Sequence, residues 1–302
     1  MKRKLIKHGE SSLTISLPRS FVKDNNLKKG QEIEVIESER GLFISPEKSK
    51  EHKSVSIDVS NQLEVIRKIL GATYKSGYDE LNIKFSSFEE IKEIKQALQS
   101  QFAGYEIIKQ EKNNILIKKI SEDDFEQFDN VIRRFFIIVN EMASDIKEAT
   151  EKDDFHWLKS ISLIKYESDR LADYCRRAIN LKFKSNYKRL GPIYTIIEQI
   201  EKVSDSYQEL CEYISNNKIK LSEKTKCIIN KQVEFQSLFY SLFFKFDISR
   251  MNELKKAKEG LQEEIKSATK RTSEKEVYVL VIIDRALNII YSLNGPLMAI
   301  YI

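Results

Sequence analysis

The spacing of apolar residues changes along this 302-residue chain, and the change constrains the fold more than any other feature. Up to about residue 119, short runs alternate apolar and polar side chains, which is typical of strands. From residue 121 onward, apolar residues recur every three or four positions, which predicts long helices. The chain therefore predicts a multi-domain α+β protein with two small strand-containing domains and an all-α domain. The predicted domain boundaries are 1–47, 48–120 and 121–302.

The first domain reads as a β unit that is too small to bury a core alone. Alternating runs at 2–7 and 13–17 precede Pro18, which opens a short helix, and Gly30 turns the chain into a second hairpin. Domains this short usually need disulfides, a metal ion or a second copy. The region contains no cysteine and no metal-ligand pattern, so we predict that it dimerises.

The second domain predicts the order β-α-β-α-β-β, with one sheet and the helices on one of its faces. Ser87 followed by Glu90 gives the S-x-x-E pattern of a capping box, which predicts where the second helix begins. Asn113 and Asn114 lie between two alternating runs and predict a hairpin.

The third domain predicts six long helices in two repeats of three. An apolar stripe that starts at Phe125 marks the first helix. The repeat rests on the similarity of "IEKVSDSYQELCEYI" to "IDRALNIIYSLNGPL". The other five helices are predicted at about 154–184, 190–216, 221–246, 250–270 and 275–301.

Positive charge is concentrated at the start of the chain. The net charge is +5, and residues 1–50 carry 11 Lys and Arg against 7 Asp and Glu, whereas residues 120–302 carry 29 of each. A localised basic excess favours a polyanionic partner, with nucleic acid first and acidic lipid second. A solvated basic terminus explains the charge equally well when charge is taken alone.

The stretch "GESSLTISLPRSFVKDNNLKKGQEIEVIESERGLFISP", residues 9–46, resembles the AbrB-type (SpoVT/AbrB-like) DNA-binding domain. The resemblance implies a swapped-hairpin β-barrel formed by an intertwined homodimer. It also implies that basic side chains of the first strand, its hairpin and the short helix contact operator DNA. These residues are Lys2, Arg3, Lys4, Lys7, His8, Arg19 and Lys23.

The third predicted helix of the last domain carries a narrow stripe of carboxylates opposite its apolar face. The stripe consists of Glu198, Glu201, Asp205 and Glu209. Carboxylates stacked this closely repel one another unless a cation lies beside them. Lys202 is one candidate and a metal ion is another, since oxygen ligands suit magnesium, manganese or iron. A solvated helix face is the third explanation.

The segment "EKVSD" at 201–205 resembles the E-x-x-x-D metal motif of PhoU-type phosphate-uptake regulators. "ESDRLADYCRRAIN" at 167–180 resembles a helix of the archaeal branch of that family, and "DRALN" at 284–288 takes the place of the motif in the second repeat. There Asp replaces Glu and Asn replaces Asp, although an amide oxygen also binds hard cations. The resemblance implies bound iron, manganese or magnesium, with the ligands Asp169, Asp173, Glu201, Asp205, Asp284 and Asn288.

The order of the three domains is that of archaeal PhoU-like regulators. It implies a transcription regulator of phosphate uptake whose PhoU-like helical domain receives the signal from a metal, from phosphate or from the ATPase of a phosphate ABC transporter. The alternative is an adaptor that docks on transporter or signalling components, with the first domain serving only for dimerisation.

Enzymatic activity is not expected. The chain lacks a phosphate-binding glycine loop, an H-E-x-x-H zinc motif and a nucleophile with a plausible histidine base. The start "MKRKLIKHGE" has no apolar stretch behind it, three cysteines are scattered, and no apolar run is long enough to cross a bilayer. These features predict a cytoplasmic protein that does not insert into membranes.

Overall fold

The computed structural model describes residues 2–9, 12–38, 41–46, 53–121, 127–181 and 189–302. The chain divides into two compact units, Met1–His52 and Lys53–Ile302. The described strands all lie before residue 120, and long helices dominate the remainder, which confirms the mixed α+β composition. The closed barrel, the two helical repeats and the three domain boundaries stay predictions. Among the described residues, no helix is long and apolar enough to cross a membrane.

The first unit consists of two antiparallel hairpins and a short helix. Its elements are β1 (Ile6–His8), β2 (Ser12–Thr14), α1 (Arg19–Asp24), β3 (Ile33–Ser38) and β4 (Gly41–Pro46). β1 pairs with β2 and β3 pairs with β4. Gly30, with φ +84°, turns the chain before β3, in a region that favours glycine. The first strand begins at Ile6, so it is shorter than the predicted run at 2–7, and Lys2, Arg3 and Lys4 lie before it.

The second unit begins with a four-stranded sheet and two helices, which we call the α/β lobe (residues 53–121). Its elements are β5 (Ser54–Asp58), α2 (Ile66–Lys75), β6 (Glu80–Lys84), α3 (Phe88–Gln101), β7 (Tyr105–Gln110) and β8 (Asn114–Lys119). The strand order is β5-β6-β8-β7, with only β5 and β6 parallel among neighbours. Both crossovers run in the same direction across the sheet, so right-handed connections put α2 and α3 on one face, where they contact each other.

The remaining residues form the helical bundle (residues 127–302). Its helices are α4 (Phe128–Glu151), α5 (Phe155–Ile161), α6 (Lys165–Asn180), α7 (Leu190–Asn217), α8 (Glu223–Phe244), α9 (Met251–Thr269), α10 (Glu274–Ser292) and α11 (Asn294–Tyr301). The predicted onset of the first helix near Phe125 lies outside the described residues.

Two of the predicted helices are interrupted, which corrects the prediction. A 3₁₀ turn at Ser162–Ile164 separates α5 from α6, and the Ser162 hydroxyl donates to the Lys159 carbonyl at this turn. α10 ends before Leu293 and α11 starts at Asn294. Pro296 lies in the first turn of α11, where its missing N–H costs little but where it could not continue α10.

The lobe and the bundle each bury an apolar cluster, and α6 lies between them. Val59, Leu70 and Ile83 belong to the cluster of the lobe, and Phe135 and Ile196 belong to that of the bundle. α6 contacts α2 and α3 on one side and α4 and α7 on the other. The helix therefore positions charged side chains at the boundary between the two clusters.

Candidate functional site

All seven basic residues predicted to contact DNA are exposed in the first unit. Arg19 and Lys23 are four residues apart on α1 and share one face of that helix. Lys7 lies on β1 opposite Leu13, and His8 lies opposite Ser12, so these two side chains point to different faces of the hairpin. The hairpin thus presents positive charge beside apolar side chains.

The same unit exposes an unusual amount of apolar surface. Six large apolar side chains are exposed: Leu5, Ile6, Leu13, Ile15, Val35 and Leu42. Among the residues of this unit whose exposure is described, none is buried. On the second hairpin, Ile33, Val35, Leu42 and Ile44 share one face by register. A unit of this size without a core needs cover from another surface.

In the bundle, four of the predicted metal ligands come together across α6 and α7. We call Asp169, Asp173, Glu201 and Asp205 the carboxylate cluster. α6 presents Asp169 and Asp173 one turn apart, and α7 presents Glu201 and Asp205 with the same spacing. The packing of α6 on α7 therefore brings these four residues together, and their role as metal ligands stays a prediction.

Two cations from α6 lie inside the carboxylate cluster and bridge the helices. Lys165 Nζ is 2.5 Å from Asp169 Oδ2 and 3.1 Å from Asp205 Oδ1. Arg176 places one guanidinium nitrogen 2.7 Å from Asp173 Oδ1 and also contacts Glu201. Each carboxylate of the cluster thus has a cationic partner on α6.

A third cation reaches the carboxylate cluster from the α/β lobe. Lys75, the last residue of α2, places Nζ 3.2 Å from Asp173 Oδ1. Asp173 therefore shares one oxygen between a lobe lysine and Arg176. The cluster joins three helices, α2, α6 and α7, by charge.

Burial makes the carboxylate cluster electrostatically demanding. Asp169, Asp173 and Arg176 are 8%, 3% and 6% exposed. Burial, aided by the neighbouring carboxylates, raises the pKa of Glu201 to about 7 against the lowering effect of Arg176. Burial also raises the pKa of Asp169 despite its contact with Lys165. Burial lowers the pKa of Arg176, but Glu201 and Asp173 outweigh this effect, so the pKa is raised overall.

The carboxylate cluster does not fit a resident metal ion as it is arranged. In the part of the chain that the structure describes, no three His, Cys, Asp or Glu side chains are placed to hold one ion. Lys165 and Arg176 stand between the carboxylates that would have to converge. A divalent cation would meet two positive charges at contact distance, which opposes its binding.

The other two predicted ligands lie elsewhere, on α10. The Asn288 amide donates to the main-chain oxygen of Asp284 at 2.7 Å, so its side chain is engaged within the helix. Asp284 Oδ1 is buried and has no hydrogen-bond partner among the described residues. No ion pair between described side chains joins this pair to the carboxylate cluster.

The outer members of the predicted stripe on α7 have partners of their own. Lys202 Nζ is 3.7 Å from Glu198 Oε1, so the lysine proposed as a neutraliser serves Glu198. Glu209 contacts Arg285 and accepts a hydrogen bond from the Tyr278 hydroxyl, 2.7 Å away. The four-residue stripe is thus divided among separate partners.

One buried contact between the lobe and α6 was not predicted from the sequence. Arg177 is completely buried and donates to the main-chain oxygen of Tyr74 at 2.8 Å and to Asp79 Oδ1 at 2.9 Å, which fixes α6 to the α/β lobe. Its guanidinium also lies 5.2 Å from the ring centroid of Tyr74. The available signal was the adjacent pair Arg176–Arg177 in an otherwise amphipathic helix.

Comparison with known proteins identifies similarity in the first unit. Residues 6–52 match the family model described as antidote-toxin recognition MazE, bacterial antitoxin. The match supports the AbrB-like part of the predicted resemblance, because the family model covers the same hairpins and short helix. No curated protein and no solved structure has significant similarity to the chain.

Proposed function

We propose that the protein is a DNA-binding transcription regulator that acts as a homodimer through Met1–His52. Domains of the MazE/AbrB type typically bind DNA and dimerise. The observation that carries the proposal is the pairing, in one small unit, of uncovered apolar side chains with exposed basic ones. A second copy of the unit would cover the apolar surface, and the basic side chains favour binding to a polyanion.

The exposure of apolar side chains in the unit supports dimerisation. Its strands leave large apolar side chains exposed, and its hairpins bury none of the residues whose exposure is described. Covering a side chain such as Leu13 contributes on the order of 2 kcal/mol per copy. A second copy supplies matching apolar strands, and a two-fold dimer presents each basic residue twice to two half-sites of DNA.

DNA binding is tested by fluorescence anisotropy with full-length protein, at a series of salt concentrations. The probes are the region upstream of its own gene, the regions upstream of phosphate-uptake genes of the same genome, and scrambled DNA of equal composition. The test variant combines Lys2→Ala, Arg3→Ala and Lys4→Ala. The control variant combines Lys68→Ala, Lys92→Ala and Lys95→Ala, which removes the same charge from exposed positions of the α/β lobe.

We expect the wild type and the control to prefer a native region over scrambled DNA. The test variant should bind more weakly, and the slope of log affinity against log salt should become shallower by about 0.9 for each phosphate that the variant no longer neutralises. Equal binding by the test variant and the wild type would contradict the proposal. Absence of binding by all three proteins would favour the adaptor, in which the first unit only dimerises.

We also propose that the regulated genes are those of phosphate uptake, and that the helical bundle receives the signal. The support is the resemblance of residues 167–180 and 201–205 to PhoU-type proteins. A phosphate-transport ATPase is the partner that this resemblance suggests. This part is tested separately by the titration with the upstream regions of phosphate-uptake genes. Selective binding to other DNA only would still support a transcription regulator, but it would contradict regulation of phosphate uptake.

Bound iron, manganese or magnesium is implied by that resemblance alone. Because the carboxylate cluster as arranged does not fit such an ion, the signal is not assigned to a metal.

An antitoxin is the second candidate, because the matched family is described by toxin recognition. Deletion of the gene separates the two roles. Loss of a regulator changes transcript levels in viable cells, whereas loss of an antitoxin arrests growth until its toxin is also removed.

A further inference from the structure

We infer that the carboxylate cluster is a metal-free ionic junction, in which Lys165, Arg176 and Lys75 occupy the positions that cations would take. The inference concerns the second unit and is independent of the proposed DNA binding by the first. The sequence motif alone suggests that the four carboxylates bind a metal ion. The inference is that they instead pair with cationic side chains of the chain itself.

The first argument is charge balance. Four carboxylates face three cations within 3.2 Å or less, so the junction is nearly neutral without any added ion. A buried carboxylate is stable only when it is paired and hydrogen-bonded. Each carboxylate of the cluster has an ion pair within the chain, although Asp169 Oδ1 and Arg176 Nε are buried without a hydrogen-bond partner among the described residues.

The second argument is position. Arg176 connects Asp173 on its own helix to Glu201 on α7, and Lys165 connects Asp169 to Asp205 in the same way. A bridging divalent ion would make these same two connections. Arg176 is 6% exposed, so it does not leave this position at low cost.

The third argument is the origin of Lys75. This lysine comes from the α/β lobe and contacts Asp173, which also binds Arg176. The junction thus extends from α2 through α6 to α7. A metal ion bound only by residues of α6 and α7 would not connect the cluster to the α/β lobe, whereas Lys75 makes this connection.

The experiment uses the full chain, stripped with EDTA and dialysed, and measures its melting temperature with and without 1 mM Mn²⁺. Metal content is measured beforehand on protein that was purified without chelator. The test variant is Arg176→Gln, which removes one cation and keeps a polar side chain. Arg170→Gln is the matched control, because Arg170 lies on the same helix, is exposed and has no ion pair with a described residue.

We expect wild type and Arg170→Gln to contain far less than one metal ion per chain and to melt within about 1 °C with or without Mn²⁺. Arg176→Gln should melt lower and should regain about 5 °C with Mn²⁺, because among the described residues Glu201 then has no cationic partner, Asp173 keeps only Lys75, and the two carboxylates can bind the ion. If Arg176→Gln does not fold, Lys165→Gln is used in its place, and it should likewise melt lower than the wild type and be stabilised by Mn²⁺.

Two results would overturn the inference. The first is one metal ion per wild-type chain, or a rise in the melting temperature of the wild type with Mn²⁺ as large as that of the variant. The second is an unchanged melting temperature of the folded variant on addition of Mn²⁺, since the Arg176 side chain would then not occupy a position that a metal ion can take.

Discussion

Replacing Arg177 by Met tests how firmly the α/β lobe is attached to the helical bundle. The guanidinium is completely buried and lies 2.9 Å from Asp79 Oδ1 and 2.8 Å from the carbonyl oxygen of Tyr74. Met retains an unbranched apolar side chain and the contact with the Tyr74 ring, so the substitution removes mainly charge and hydrogen bonds.

The expected loss of stability depends on the interactions that Asp79 retains after the substitution. Removing one partner of a buried ion pair costs about 3–5 kcal/mol, chiefly because the other charge is left without a partner. Asp79 retains Lys119, whose Nζ is 3.3 Å away, and its side chain is 17% exposed. We therefore expect a loss at the lower end, about 3 kcal/mol in the free energy of unfolding.

The assay is urea denaturation followed by the fluorescence of Trp157, the single tryptophan of the chain, which packs against the core of the bundle. Far-UV circular dichroism gives a second probe, and coincident transitions support a two-state analysis. Arg170→Met is the control, because this arginine is exposed on the same helix and its replacement should cost less than about 0.5 kcal/mol. A loss below about 1 kcal/mol for Arg177→Met, or equal losses for both variants, would refute the reasoning.

Two further outcomes are expected. Leu13→Lys should convert the dimer into monomers in light scattering coupled to size-exclusion chromatography, whereas Leu163→Lys should not, since the two leucines are 64% and 63% exposed in different units; an unchanged dimer in both would contradict the proposed interface. Burial raises the pKa of Glu276, but hydrogen bonds from the hydroxyls of Thr225 and Ser222 outweigh it and lower the pKa overall. The stability that this carboxylate contributes is present above its usual pKa and is lost as the pH falls through the lowered value. Thermal melts from pH 6 to pH 3 should therefore show a smaller loss for Glu276→Gln than for the wild type; equal losses would exclude this role.

Local signals in the sequence predicted the element order well. The capping box is present: the Glu90 backbone N–H donates to the Ser87 hydroxyl, and the Glu90 carboxylate accepts from the Ser87 N–H. The hairpin at Asn113–Asn114 joins β7 to β8, and the alternation in 54–119 gives β-α-β-α-β-β as predicted. These features depend on residues close in sequence, where spacing and side-chain chemistry suffice.

The helix interruptions were less visible because apolar periodicity continues through them. The 3₁₀ turn at Ser162–Ile164 does not end the apolar pattern, as Leu158 and Ile161 are buried and Ile164 packs against the same core. Pro296 was a local signal for the second break, since proline cannot occupy a helix interior without losing a hydrogen bond. Periodicity finds helices more reliably than it finds their ends.

The cationic partners of Glu201 and Asp205 could not be predicted from the residue spacing within α7 alone. Lys202 lies within the acidic stripe of α7, yet Lys165 and Arg176 from α6 provide the charge for Glu201 and Asp205. Their spacing on α6 is consistent with a shared face, with Lys165 four residues before Asp169. Only the packing of α6 on α7 shows that this face meets the stripe.

The adjacent residues Arg176 and Arg177 explain why the lobe and the bundle form one compact unit. Successive side chains on a helix point about 100° apart, and here Arg176 contacts Glu201 on α7 while Arg177 contacts Asp79 in the lobe. A shift of α6 along its axis would break the contact of Arg176 with Glu201 and that of Arg177 with Asp79, although Arg176 would keep Asp173 on its own helix. The cost of that shift opposes sliding of α6 against either neighbour. If the helical bundle receives the signal, as proposed, a movement of α7 would therefore reach the lobe through α6, because Arg176 contacts α7 and Arg177 contacts the lobe.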